Sequence, residues 1–270
     1  MSRSFFHRLV DRFRRLRPAG PHAAPVRSAA LPEGLRIYAI GDVHGHADLL
    51  DRMASRIEAD LARNPAQDAR AVFVGDYIDR GPDSAGVIER LASGRFPLPF
   101  ETLRGNHEDV LIGLLAAPVD ALGASLEHWY QLGGLETLRS YGVDVGKAAS
   151  GKSPDRMRRA FLDRFPEAHR AFLLTTRLSL TLGDYFLVHA GARPGVPLDV
   201  QSPEDLMWIR EDCYRSDYDF GKVLVHGHTP RRAPENLPRR INVDTGAFKW
   251  GVLSAVALEA DTRRFLSTRD

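Results

Sequence analysis

Short apolar runs that end in glycine and a polar cluster recur along the chain from Leu35 onward. Leu35–Ile40, Ala71–Val74 and Phe100–Leu103 each read as a strand that runs into Gly-Asp or Gly-Asn. Between the first two, Leu50, Met53, Ile57 and Leu61 fall at helical spacing and predict a helix over Ala47–Arg63, and a second helix is predicted over Ser84–Ala92. The order β-α-β-α-β predicts an α/β protein with a parallel component. From Val110 to Thr176 the pattern turns mainly helical, with Pro166 opening a helix that carries Phe172 and Leu173. Strands resume at Leu178–Leu182, Tyr185–Val188, Lys222–Val225, Arg240–Val243 and Val252–Leu258, and this last group is expected to add antiparallel pairs. No internal repeat is visible.

Composition narrows the class. Of 270 residues, 43% are hydrophobic and 27% charged, which is far too apolar for a disordered chain. No apolar run approaches the roughly 18 residues a spanning helix needs. The single cysteine, Cys213, excludes an intramolecular disulfide framework and a cysteine-based zinc or iron–sulfur site.

The net charge of +2 hides an asymmetry, because residues 1–33 carry seven arginines against only Asp11 and Glu33. The body is therefore slightly acidic, and no nucleic-acid partner is expected. Within the tail, Phe5, Leu9, Phe13 and Leu16 recur at helical spacing, with Arg8, Arg12 and Arg15 mostly opposite, before Pro18-Ala19-Gly20-Pro21 ends the pattern. Asp11, Arg12 and Arg14 interrupt any apolar core of a secretory signal, so a cytoplasmic location is the default expectation. Residues 1–17 read either as a basic amphipathic helix making peripheral contact with an anionic membrane or as a leader without contacts. Residues 1–33 are thus expected as tail and linker, and 34–270 as one domain with a helical insert at about 110–176. The sequence carries no signal for an oligomeric state.

Polar clusters follow the apolar strands: Gly41-Asp42-Val43-His44-Gly45, Gly75-Asp76-Tyr77-Ile78-Asp79-Arg80-Gly81, Gly105-Asn106-His107-Glu108, His189-Ala190-Gly191 and His226-Gly227-His228-Thr229-Pro230. In open α/β sheets the carboxyl ends of strands converge on the ligand site, so such clusters can meet. Asp42, His44, Asp76, Asn106, His189 and His228 form a mixed oxygen and nitrogen donor set without thiolate. That set suits Mn²⁺, Fe or Zn²⁺ better than Ca²⁺, and it suffices for two divalent metal ions bridged by one carboxylate.

The ordered clusters resemble the calcineurin-like metallophosphoesterases. Within these they are most similar to the bacterial and phage phosphoprotein phosphatases and the related symmetrical diadenosine tetraphosphatases. The resemblance spans roughly Leu35–Leu258 and is strengthened by Trp129 with Gly133-Gly134, Ser140-Tyr141-Gly142, Arg193-Pro194-Gly195, Trp208-Ile209-Arg210 and Asp244-Thr245-Gly246-Ala247. It implies the metallophosphoesterase α/β fold, a central mixed β-sandwich flanked by helices, with a mainly helical insert.

It also implies a division of labour. Asp42 and His44 would bind the first ion, Asp76 would bridge, and Asn106, His189 and His228 would complete the second, with Mn²⁺ the first choice. His107 would be the general acid and Asp79 would orient its ring. Arg80, Arg210 and Asn106 would bind the phosphoryl oxygens, with Arg193 the next candidate if Arg210 fails. The activity implied is phosphomonoester hydrolysis by a metal-bound hydroxide, on phosphoserine or phosphothreonine in proteins. The alternative, with a phosphorylated small molecule as substrate, is symmetrical hydrolysis of bis(5'-nucleosyl) tetraphosphates or of another nucleotide pyrophosphate bond by the same centre. Where the eukaryotic enzymes have His-Gly-Gly this chain has His189-Ala190-Gly191, and where they have arginine it has His226, so their regulatory grooves are not carried over.

Other features carry blander readings. Gly146–Ser153 matches the P-loop pattern literally, but only Val143-Asp144-Val145 precedes it and Pro154 follows. It reads as a surface loop capped by Ser153 onto a helix starting at Pro154. Cys213 reads as an inert small residue, His128 and His169 as surface or core histidines, and Trp129, Trp208 and Trp250 as packing residues. A catalytically silent metal-binding adaptor would require loss of His107 or a ligand, and none is lost.

Overall fold

Strand β1 (Leu35–Ile40) is apolar on both faces, and both are covered. Tyr38 and Ile40 face helices, while Ile37 and Ala39 face a second sheet. Such two-sided burial is what a near-continuous apolar strand requires. The computed structural model describes residues 29–146, 153–210 and 218–269. The predicted amphipathic segment 1–17, Cys213 and the centre of the P-loop-like stretch (147–152) lie outside the described residues.

Two five-stranded sheets pack face to face. The first joins β1, β2 (Asp68–Phe73) and β3 (Phe100–Thr102) in parallel, with β9 (Ser254–Glu259) and β10 (Thr262–Ser267) antiparallel at the other edge, in the order β10-β9-β1-β2-β3. The second contains β4 (Ser179–Leu182), β5 (Tyr185–Val188), β6 (Val223–His226), β7 (Glu235–Asn236) and β8 (Arg240–Asn242), in the order β4-β5-β6-β8-β7. Antiparallel pairs are present at β4–β5 and β7–β8, as the pattern leads one to expect. β5–β6 and β6–β8, however, are parallel. The connection between β5 and β6 is long enough for the crossover that parallel pairing demands.

Val72, Val74, Tyr185, Leu187, Val225 and Val256 fill the space between the sheets. On the outer face of the first sheet lie α1 (Ala47–Arg63), α2 (Ser84–Ala92) and α3 (Asn106–Ala116), then α4 (Leu122–Leu132), α5 (Gly134–Ser140), α6 (Pro154–Leu162) and α7 (Glu167–Thr175). The short α8 (Pro203–Trp208) covers the outer face of the second sheet, and α9 (Ala247–Trp250) precedes β9. Ser153 does cap α6, its hydroxyl accepting from Arg156 N at 3.4 Å, with Pro154 in the first turn. Pro166 sits at the N-cap of α7, one position before the helix. No helix among the described residues is long and apolar enough to cross a membrane.

One buried polar cluster fastens α1 to the sheet. Asp60 accepts from Arg264 at 2.6 and 3.1 Å, from the Tyr38 hydroxyl at 2.6 Å and from Asn64 at 3.1 Å. The Arg264 hydrogen bonds, helped by Tyr38 and Asn64, outweigh burial and hold this carboxyl down at about 2. The unfolded value is about 3.9, so the folded state keeps the charge to lower pH than the unfolded state. The resulting stability is complete above the unfolded value and is lost as pH falls towards 2. Asp60→Asn should therefore destabilise the protein at neutral pH by about 2 kcal/mol, as for hydrogen bonds to a charged group. Urea melts should show the gap to the wild type narrowing as pH drops from 5 towards 2. A gap independent of pH would remove the charge from the explanation.

Candidate active site

The parallel strands β1, β2, β3, β5 and β6 all deliver their carboxyl ends to one edge of the sandwich, and the polar clusters follow there. The turns out of these strands are tight enough that non-glycine residues take the left-handed region. These are His44 (φ 43°), Asp76 (φ 55°), Asp79 (φ 71°), Arg80 (φ 67°) and His228 (φ 66°). Each such residue costs on the order of 1–3 kcal/mol and persists only where its surroundings over-determine it. Among the described non-glycine residues only Ala260 shares this conformation away from the site.

Asp76 stands at the centre. Its Oδ2 lies 3.4 Å from His44 Nε2 and 3.7 Å from His107 Nε2, and its Oδ1 lies 3.4 Å from His189 Nε2. Two donor clusters result, His44–Asp76–His107 and Asp76–His189–His228, each with its ligand atoms within 4.8 Å of one another. Asn106 Oδ1 joins the second, 3.0 Å from both His189 Nε2 and His228 Nδ1. Asp42 approaches through Oδ2, which accepts the His228 backbone N–H at 2.9 Å, while its buried Oδ1 has no hydrogen-bond partner. A Cβ on Gly227 would lie 1.9 Å from that Oδ1, so only glycine lets the chain pass there.

The imidazoles are set as ligands. His44 Nδ1 meets the Ile78 carbonyl and His189 Nδ1 the Val74 carbonyl, each at 2.9 Å. A carbonyl only accepts, so both rings carry N–H at Nδ1 and present the Nε2 lone pair to Asp76, the arrangement metal-ligating histidines adopt. Burial pushes His44, His189 and His228 down, the last to about 2, which keeps them neutral near pH 7. Asp42 is driven well above the usual carboxylate range by burial and by the charges of Asp244 and Asp76. Asp244 is pushed up to about 7, chiefly by burial. His189 Nε2 thus faces Asn106 Oδ1 and Asp76 Oδ1 as acceptor against acceptor. Lone pairs crowded together, buried carboxylates repelling one another and an orphaned Asp42 oxygen are what a cation would resolve. The residues fit a binuclear metal site.

Next to this centre, His107 Nδ1 lies 2.8 Å from Asp79 Oδ2, leaving its buried Nε2 without a hydrogen-bond partner. Burial pulls His107 down, but the Asp76 charge and the Asp79 hydrogen bond outweigh it, and the net shift is upward. Arg80 is half-buried, its guanidinium 3.2 Å from His44 Nε2 and 4.4 Å from the Phe248 ring centroid. Arg210 is exposed at the end of α8, and its charge is felt at His228. Arg193 forks onto Asp205 at 2.9 and 2.5 Å. That pairing makes it a brace of its own loop rather than a second clamp.

Several side chains of the site had no role assigned from sequence. Glu108 is fully buried and accepts from the N–H groups of Asp76, Tyr77, Ile78 and Gly105 at 2.7–3.3 Å, pinning the β2 loop to α3. Its third place in a helix after a glycine N-cap was a readable signal. Phe248 stands edge-on to His44 at 5.2 Å, and no spacing rule could have placed it there. Trp129 packs as expected, yet its indole N–H also reaches Asp79 at 3.1 Å.

A two-sheet sandwich with a buried His/Asp cluster at its strand ends defines a metallophosphoesterase, a hydrolase of phosphoester or phosphoanhydride bonds. Residues 35–250 match the calcineurin-like phosphoesterases, and the chain belongs to that family. It is 28% identical over 236 residues to an asymmetrical bis(5'-nucleosyl)-tetraphosphatase of Anoxybacillus flavithermus, covering 80% of this chain and 88% of that one. To serine/threonine-protein phosphatase 1 of Salmonella typhimurium it is 26% identical over 234 residues, covering 83% and 92%. A solved cold-active protein tyrosine phosphatase shares the fold at TM-score 0.54 and 17% identity, over 88% of this chain and 82% of that one.

Proposed function

We propose that this protein is a phosphomonoesterase acting on phosphoserine or phosphothreonine in proteins. Asp42 and His44 would hold one divalent ion, Mn²⁺ as first choice, Asn106, His189 and His228 would hold a second, and Asp76 would serve both. When bound, the ions supply positive charge to the phosphoryl oxygens and make hydroxide available near neutral pH. Arg80, with Arg210 two residues past α8 and the Asn106 amide, orients the phosphoryl group, since guanidinium forks match its oxygens. His107 presents a proton at Nε2 to the departing oxygen, its ring held in one tautomer by Asp79.

The observation that carries this reading is the His107–Asp79 pair, buried and joined at 2.8 Å beside the donor clusters. A seryl or threonyl alkoxide is a strong base and leaves only with a proton. A nucleotide leaves as a phosphate, which is a weak base already and gains little from a general acid. A second reading, hydrolysis of dinucleoside tetraphosphates, is favoured by the name of the Anoxybacillus relative.

The two separate in one experiment. With Mn²⁺ present, the purified protein should show a higher kcat/KM on a phosphoserine peptide than on diadenosine tetraphosphate. A higher value on the dinucleotide would replace the first reading by the second.

A further inference from the structure

The helical insert reaches back into the acid pair. Asp79 is fully buried, and apart from His107 its carboxylate partners both come from the insert. The Thr137 hydroxyl lies 2.6 Å from Oδ1, and the Trp129 indole N–H straddles the two oxygens at 3.1 Å each. Thr137 holds the backbone too, since the Asp79 N–H donates to Thr137 Oγ1 at 2.9 Å and to Ser84 Oγ at 3.0 Å. A hydroxyl has one proton, and the carboxylate takes that of Thr137. Ser84, 2.9 Å away, must then donate its own proton to Thr137 Oγ1. The network is closed, with every donor assigned.

Its target is a residue that would not rest there unaided. Asp79 and Arg80 are consecutive left-handed residues, and Arg80 N–H is bound by the Gly133 carbonyl at 3.3 Å, in the turn between α4 and α5. At the first residue of α5, a Cβ on Gly134 would lie 2.4 Å from Trp129 Cδ2, so glycine there lets the indole pack against Asp79.

We propose that Thr137 and Trp129 are positioning residues for proton delivery. They aim the Asp79 carboxylate at His107 Nδ1, and through it fix the direction of His107 Nε2. The helical insert thus sets the efficiency of the acid, beyond any part it plays as a wall for substrate. This inference rests on His107 being the acid of the proposed function. A packing role alone would affect stability and leave every substrate equally affected.

The test compares Thr137→Val, Thr137→Ser and Trp129→Phe with wild type in the full chain loaded with Mn²⁺. The substrates are a phosphoserine peptide and p-nitrophenyl phosphate, whose leaving group needs little protonation. Thr137→Val should lose about tenfold in kcat on the peptide, part of the roughly 10²–10⁴-fold a general acid contributes. Its kcat on the aryl ester, its KM values and its metal content should stay within about twofold of wild type. Thr137→Ser, which restores the hydroxyl, should restore the wild-type ratio between the two substrates. Trp129→Phe should move the ratio in the same direction as Thr137→Val and carries the test should the valine variant not fold.

Equal losses on both substrates, no loss on either, or failure of serine to rescue would overturn the positioning role. His107→Asn, run alongside, separates the two levels. If it too shows equal losses, the acid reading itself fails. If it is selective for the peptide while Thr137→Val is not, only the positioning role falls.

Discussion

Asp76→Asn is expected to release both metal ions together and to abolish most turnover. Among the described residues Asp76 is the one carboxylate with an oxygen on each donor cluster, Oδ2 towards His44 and Oδ1 towards His189, both at 3.4 Å. Burial alone would raise its pKa, but the imidazoles around it, His107 among them shifted towards its charged form, favour the carboxylate, and the net shift carries it far below the usual range, so it stays charged. An amide of the same shape can still accept the His107 backbone N–H that reaches Oδ1 at 3.2 Å, so the fold of the loop should survive. What disappears is the negative charge common to the two sites. Each affinity should fall by more than the roughly 10–100-fold that loss of an outer partner of a metal ligand costs. The metal-free variant should be less stable to heat than metal-free wild type at neutral pH, because a carboxyl held this low lends the folded state stability through its charge. Elemental analysis after dialysis, paired with thermal melts, checks both expectations. Retention of one ion at full affinity would show that Asp76 serves a single site, and retention of two would remove it from the centre.

The centre was legible in the sequence because the strands that carry it are buried on both sides. A run such as Leu35–Ile40 stops at a glycine only where the chain must leave the sandwich, and polar residues at that point have nowhere to go but the strand ends. The bounds of β1, α1 and α2 follow from the same strong periodicity. β10 escaped notice because Thr262, Arg263 and Arg264 carry no apolar signal. It forms as an edge strand, paired along one side to β9 and anchored by Arg264 on Asp60. β7 is two residues long and owes its existence to its pairing with β8. The parallel pairing of β5, β6 and β8 was not legible, since strand patterning contains residues and not neighbours. Side chains acting at long range were equally silent: Trp129 reads as a core residue from its type, and only the fold shows that its N–H ends on Asp79, fifty positions earlier.

His107→Asn is the second variant with a large expected effect, and its value lies in how the effect depends on the leaving group. The ring is wholly buried, tied to Asp79 at 2.8 Å through Nδ1, with Nε2 directed at the donor clusters and 3.7 Å from Asp76 Oδ2. Asn keeps a donor for Asp79 but has no group able to release a proton near neutral pH. On a phosphoserine peptide, kcat should fall by roughly 10²–10⁴-fold. On p-nitrophenyl phosphate the fall should be much smaller, and on a dinucleoside tetraphosphate smaller still, because neither departing group needs the proton. Metal content should match wild type, since the proposed ligands Asp42, His44, Asp76, Asn106, His189 and His228 are untouched. Loss of metal in the variant would instead identify His107 as a ligand of the His44–Asp76 cluster, which its distance from Asp76 permits. Equal losses on all substrates with metal retained would make His107 a structural residue. The proposal of an alcohol-leaving phosphomonoesterase would then lose the observation on which it stands.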